Sequence, residues 1–157
     1  MKRLWWAATV LLLMGCGIQP SEVSDAGQAP TGLAPGVTLY FLDADRELRP
    51  DLRETGRLGT IPEAMALLLL GPGDSDLSTG IASTDVTRVE ATVGQSSIQL
   101  RVPLAVKEVT RLGIEQMVCT ALATHVQSGG SPRATVQILF TLPAAHSDRQ
   151  RTCPLIG

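Results

Sequence analysis

Arg88-Val89-Glu90-Ala91-Thr92-Val93-Gly94-Gln95-Ser96-Ser97-Ile98-Gln99-Leu100-Arg101-Val102-Pro103 alternates apolar and polar residues on both sides of Gly94-Gln95. Val89, Ala91 and Val93 fall on one side, with Arg88, Glu90 and Thr92 on the other. Ile98, Leu100 and Val102 repeat the pattern against Gln99 and Arg101. A period of two carried through a short turn predicts an antiparallel hairpin with one buried face and one wet face. Pro103 ends the second strand. A sheet wet on one side needs a cover on the other, and apolar helical stretches upstream and downstream supply one.

Upstream, Val37-Thr38-Leu39-Tyr40-Phe41-Leu42 is β-rich and apolar on both faces, as an interior strand is. Asp43-Ala44-Asp45 carries turn chemistry, and residues 47–55 return as a strand that Pro50 confines to an edge. Thr60-Ile61-Pro62-Glu63 opens a helix: Thr60 caps it, Pro62 fits the first turn and Glu63 suits its positive end. Residues 64–70 are apolar nearly all round, which predicts burial, and Gly71-Pro72-Gly73 stops the helix. Residues 71–84 form a polar loop expected to face solvent.

Downstream, residues 109–126 predict a second helix with Ile114, Val118, Ala121, Leu122 and His125 on one face. Cys119 lies about a hundred degrees from Val118, on the flank of that face. Gly129-Gly130 ends it, and residues 134–142 form a last strand with Val136, Ile138 and Phe140 alternating. The order β-β-α-β-β-α-β predicts an α+β fold: a single open sheet of about five strands with two helices on one face.

The chain begins with Lys2 and Arg3, an uncharged apolar run over residues 4–14, then Gly15-Cys16. That run is about half of the roughly twenty residues a spanning helix needs, so it has the length of a secretory signal core. Leu13-Met14-Gly15-Cys16 resembles the lipobox of bacterial lipoproteins, which implies cleavage before Cys16 and diacylation of its thiol. Two acyl chains suffice for stable anchoring. Residues 1–15 are then a signal peptide and residues 16–36 a lipidated tether, rich in Pro, Gly, Ser, Ala and Gln. The expected location is the extracytoplasmic face of the cell membrane. If Cys16 carries lipid, Cys119 and Cys153 remain as an even pair in an oxidising compartment, which predicts a disulfide. The alternative is one buried and one free thiol. Joining the pair would stabilise the fold by roughly 3–4 kcal/mol on the chain-entropy model and tie the tail, residues 144–157, to the domain, with Leu155 and Ile156 packed on the helix flank.

With 13 Lys and Arg against 15 Asp and Glu, the chain is mildly acidic, and aromatic residues make up 3% of it. It has neither the basic run nor the stacking platform of a nucleic-acid-binding protein. The 157 residues allow one domain with a real core.

Four pieces together resemble one family: Val37-Thr38-Leu39-Tyr40-Phe41-Leu42, the return strand with Arg53, Ala66-Leu67-Leu68-Leu69-Leu70-Gly71-Pro72, and Gln116-Met117-Val118-Cys119-Thr120-Ala121-Leu122. They are similar to the GerMN domain of sporulation and spore-germination proteins, with the helix ending in Leu-Gly-Pro as the best signature. The resemblance covers residues 37–143. It implies a fold like the ring-building modules of secretion and spore-channel machinery, a non-catalytic protein-interaction role often found on lipoproteins, and a protein partner or self-association. The chain departs from the family pattern at Gly73-Asp74-Ser75-Asp76, at Cys119, and in having Cys153 beyond the family core.

No pattern carries catalysis or a cofactor. Asp43, Asp45 and Glu47 lack the remaining positions and the glycine of a calcium loop and read as a solvated turn. Residues 71–80 lack a Gly-Lys-Ser/Thr ending, and Asp74 and Asp76 would repel phosphate. His125 on an apolar helix face reads as a core or rim residue. His146-Ser147-Asp148 are adjacent in sequence, which is not how a triad is assembled. Cys119, Cys153 and two widely spaced histidines do not make a metal site. A different reading is a ligand-binding or sensor-kinase accessory lipoprotein, motivated by the loop at residues 71–84.

Overall fold

The computed structural model describes residues 35–141 and 149–157. Strand β1, Val37–Leu42, pairs antiparallel with β2, Leu48–Arg53. Helix α1, Ile61–Leu70, follows. The hairpin of β3, Glu90–Val93, and β4, Ser97–Arg101, has Val93 opposite Ile98. A short 3-10 turn, Val106–Glu108, leads into α2, Arg111–Gln127. Strand β5, Thr135–Leu139, lies parallel to β4, and β6, Gln150–Arg151, pairs antiparallel with β5. The class is α+β, with two helices and open sheets.

The strands divide into two sheets, β1-β2 and β3-β4-β5-β6, where one sheet was expected. The reason lies at the outer edge of β1. The Tyr40 N–H donates to Thr120 Oγ1 at 3.0 Å, and Gln116 Nε2 donates to the Tyr40 carbonyl at 3.0 Å. Two residues on, Leu42 exchanges backbone hydrogen bonds with Ser78 at 2.9 and 2.7 Å. Side chains of α2 and a loop thus occupy the ladder positions a third strand would need. On the opposite side, Tyr40 faces Pro50 across a pair that exchanges no bonds, so the missing Pro50 N–H is on the free edge of β2.

Helix α1 has the cap expected of it. Thr60 Oγ1 accepts the Glu63 N–H, and Glu63 Oε2 returns to the Thr60 N–H at 2.6 Å, a reciprocal capping box. Ile61, Ala64, Met65, Leu68 and Leu69 are buried, but Leu70 is 70% exposed and Ala66 and Leu67 are half-buried. The apolar run therefore overshoots the buried face, and α1 keeps a greasy outer side.

Helix α2 corrects the one-face expectation in the other direction. Every residue from Gln116 to Thr124 is buried, polar Gln116, Thr120 and Thr124 included. It packs against β1, α1 and β5, so it runs through the middle of the core. Ile114 and His125, placed on the apolar face, lie at its partly exposed ends. Its start is clamped: Thr110 caps it, the Thr110 N–H donates to the Gly80 carbonyl at 2.8 Å, and the Gly80 N–H donates to Gln116 Oε1 at 2.7 Å. A Cβ on Gly113 would fall 2.4 Å from the Gly80 carbonyl oxygen, and one on Gly80 would fall 2.2 Å from Thr110 Oγ1. Both positions need glycine because two backbones touch there.

Candidate functional site

Cys119 and Cys153 form a disulfide with Cα atoms 4.9 Å apart, and both are buried. Cys119 comes from the buried ring of α2 and Cys153 from the tail just after β6, which has already brought the chain beside β5. The tail is thus held by a strand as well as a bond. Ile156 packs on the core, whereas Leu155 is 54% exposed instead of packing on the helix flank. Cys16, residues 1–34 and His146 with Ser147 and Asp148 lie outside the described residues.

The acidic turn is internally consumed. Asp43 Oδ1 accepts the N–H groups of Asp45 and Glu47, and Oδ2 accepts Arg49 Nε at 2.7 Å. The Arg49 guanidinium, followed by the Glu47 amide, holds the Asp43 carboxyl below its ordinary range. Arg46 closes this turn in the left-handed region, at φ 62°. Asp74 and Asp76 are exposed on the loop. The second half of that loop is not free: Ile81 is buried and bridges Val109, and the Ala82 N–H donates to the Glu108 carbonyl. His125 sits at the end of α2 against the backbone of Gly130. Among the described residues, no group of three or more His, Cys, Asp or Glu side chains could hold a metal, and no buried side-chain nitrogen or oxygen lacks a partner.

The most apolar of the concavities among the described residues follows from the overshoot of α1. Between α1 and the residues after β2 lies a cavity of about 290 Å³ floored by Val37, Leu58, Ala64 and Leu67, with Arg57 and Glu63 at its rim. Beyond Leu67 a second hollow of about 180 Å³ continues along the seam to Leu70, between Leu39 and Gly73. The charges beside this groove are satisfied. Arg57 pairs with both carboxylate oxygens of Glu63. Together with the Thr60 contacts, this pairing lowers the Glu63 carboxyl from about 4.5 to about 2. Arg53 donates to Asp51 at 2.7 Å and to the Pro72 carbonyl at 2.6 Å, with its guanidinium over the Phe41 ring. An apolar floor rimmed by neutralised charges suits an uncharged apolar group better than an ion.

The groove and the polar ladder of α2 both escaped the reading of the sequence. A signal existed for the second: Gln116, Thr120 and Thr124 recur every fourth position on an apolar helix. No helix among the described residues is long and apolar enough to cross a membrane. No protein-family model matches the chain, nor does any curated protein or solved structure.

Proposed function

We propose that this protein is a lipid-anchored module on the extracytoplasmic face of the cell membrane, held through Cys16, whose domain makes non-catalytic protein contacts of the GerMN type. The observation that carries the anchor is the buried Cys119–Cys153 disulfide. It pairs two of the three cysteines and leaves Cys16 as the odd one, directly behind a short apolar run and two positive charges. A disulfide-stapled small domain belongs to an oxidising compartment, which agrees with export. The interaction role is supported by the exposed apolar side of α1, the same Leu-rich, Gly-Pro-terminated helix on which the family resemblance chiefly rests.

Feeding labelled palmitate tests the anchor: wild type takes up label and Cys16→Ala does not. Equal labelling of the two would overturn the anchor. Crosslinking in intact cells tests the domain. Adducts to copies of itself or to another envelope protein are expected, and a chain that crosslinks to no protein at any surface position would contradict an interaction role.

A further inference from the structure

We propose that the outer edge of β3 is the seam on which a second copy of this chain pairs, strand to strand and antiparallel. Every other sheet edge among the described residues is blocked or very short. The outer edge of β1 is taken by Gln116, Thr120 and Ser78. That of β2 carries Pro50, which has no N–H, and β6 is two residues long. Strand β3 has no such block: among the described residues it pairs with β4 alone. The Gly94 N–H donates to the Ser97 carbonyl, which sets the alternation of the ladder. Glu90 and Thr92 therefore bond to β4, and the backbone groups of Ala91 and Val93 point outward. The side chain of Val93 is left uncovered as well. It lies opposite buried Ile98, on the apolar face of the sheet, yet is 51% exposed.

The edge selects its own strand as occupant. Val89, just before β3, is 4% exposed, so the open stretch runs from Glu90 to Val93. One antiparallel register uses both outward residues of both copies. It sets Ala91 against Val93 of the second copy, and Val93 against Ala91 of the second copy. Both pairs exchange their N–H···O bonds, and each Val93 side chain is covered by the facing alanine. On the wet face Thr92 then meets Thr92 of the second copy, and Glu90 lies opposite Gly94. The register that sets Ala91 against Val89 instead places Glu90 on Glu90, a like-charge pair, and needs the buried backbone of Val89. The edge is thus self-complementary, and two-fold pairing closes at two copies. Its small area makes the association weak and transient in solution. This inference rests on the protein-contact role proposed above, and names one partner and one surface for it. It does not depend on whether Cys16 is acylated.

The test is disulfide trapping of the full chain in intact cells, with single cysteines introduced on the wet face of the sheet. Thr92 meets its counterpart in a pair that exchanges no bonds, with Cα atoms about 4.5 Å apart, within disulfide reach. Gln99, exposed on the same face of β4, would stand about 14 Å from its counterpart, three strand spacings away. Under mild oxidant Thr92→Cys is expected to give a covalent dimer that wild type and Gln99→Cys do not. Adding Val93→Pro deletes an outward N–H in each copy and leaves the β3–β4 ladder intact. It should cut that dimer roughly tenfold or more, with the melting temperature of the purified chain unchanged. The comparison of Thr92→Cys with Gln99→Cys decides even where the proline variant folds poorly. Equal dimer from the two, or none from either, would overturn the proposal, and so would Thr92→Cys adducts to a different protein. If adducts then form at exposed Leu70→Cys on α1, this seam alone falls. If no surface position crosslinks to any protein, the contact role falls with it.

Discussion

Gln116 holds three parts of the protein together from one buried position. It donates to Tyr40 of β1 and accepts from Gly80 of the loop while standing on α2. Gln116→Leu keeps the bulk but strands the buried Tyr40 carbonyl and the part-buried Gly80 N–H, and should cost about 2–4 kcal/mol. Urea unfolding with the disulfide intact measures it, and a loss within a few tenths of a kcal/mol would contradict the assignment. Arg46 is the opposite case, an exposed residue held in the left-handed region by the turn that Asp43 organises. Arg46→Gly relieves that conformation and should stabilise the fold by up to about 1 kcal/mol, read as a higher melting temperature. Why Gln116 was not legible is physical. A glutamine in an apolar helix is equally a surface residue or a buried hydrogen-bonding one, and only tertiary context decides.

Elements were legible where local chemistry sets them. Thr60 and Glu63 mark the start of α1, Asp43 the turn into β2, and the period-two alternation the hairpin of β3 and β4. The buried face expected on β3 is only partly there, because Val89 precedes the strand, Ala91 is half-buried and Val93, at the hairpin turn, is 51% exposed. The pairing of sheets was not legible, because α2 and Ser78 substitute for a strand along β1, and no alternation in sequence encodes that. Strand β6 is two polar residues long and carries no pattern at all. Two predictions belong to this scale. The Glu63 carboxyl is depressed in the folded state, so its contribution is complete above about pH 4.5 and is lost as pH falls towards about 2. Melting temperature should therefore fall over that window more steeply in wild type than in Glu63→Gln, and parallel curves would refute the role of this cap. Gly113→Ala forces α2 away from Gly80 and should destabilise by about 2–4 kcal/mol despite the better helix propensity of alanine. A stabilised variant in chemical denaturation would show that the two backbones do not touch.

At the scale of the whole molecule, the cysteines tie compartment, stability and attachment into one account. One disulfide joins the central helix to the C-terminal tail, and the remaining cysteine stands at the other end of the chain. Replacing Cys119 and Cys153 together by Ala should cost roughly 3–4 kcal/mol and loosen β6, seen as faster hydrogen exchange at residues 149–157. The fold class and the disulfide could be anticipated from residue pattern and cysteine count. The groove could not, because it arises where an apolar helix is longer than the face that covers it. The most direct test of the account is the intact mass of the protein taken from membranes and alkylated without reductant. The account predicts a chain starting at Cys16, heavier by a diacylglyceryl group, with no alkyl adduct until reductant exposes Cys119 and Cys153. An adduct on Cys16 itself, or two adducts on the unreduced protein at Cys119 and Cys153, would contradict it.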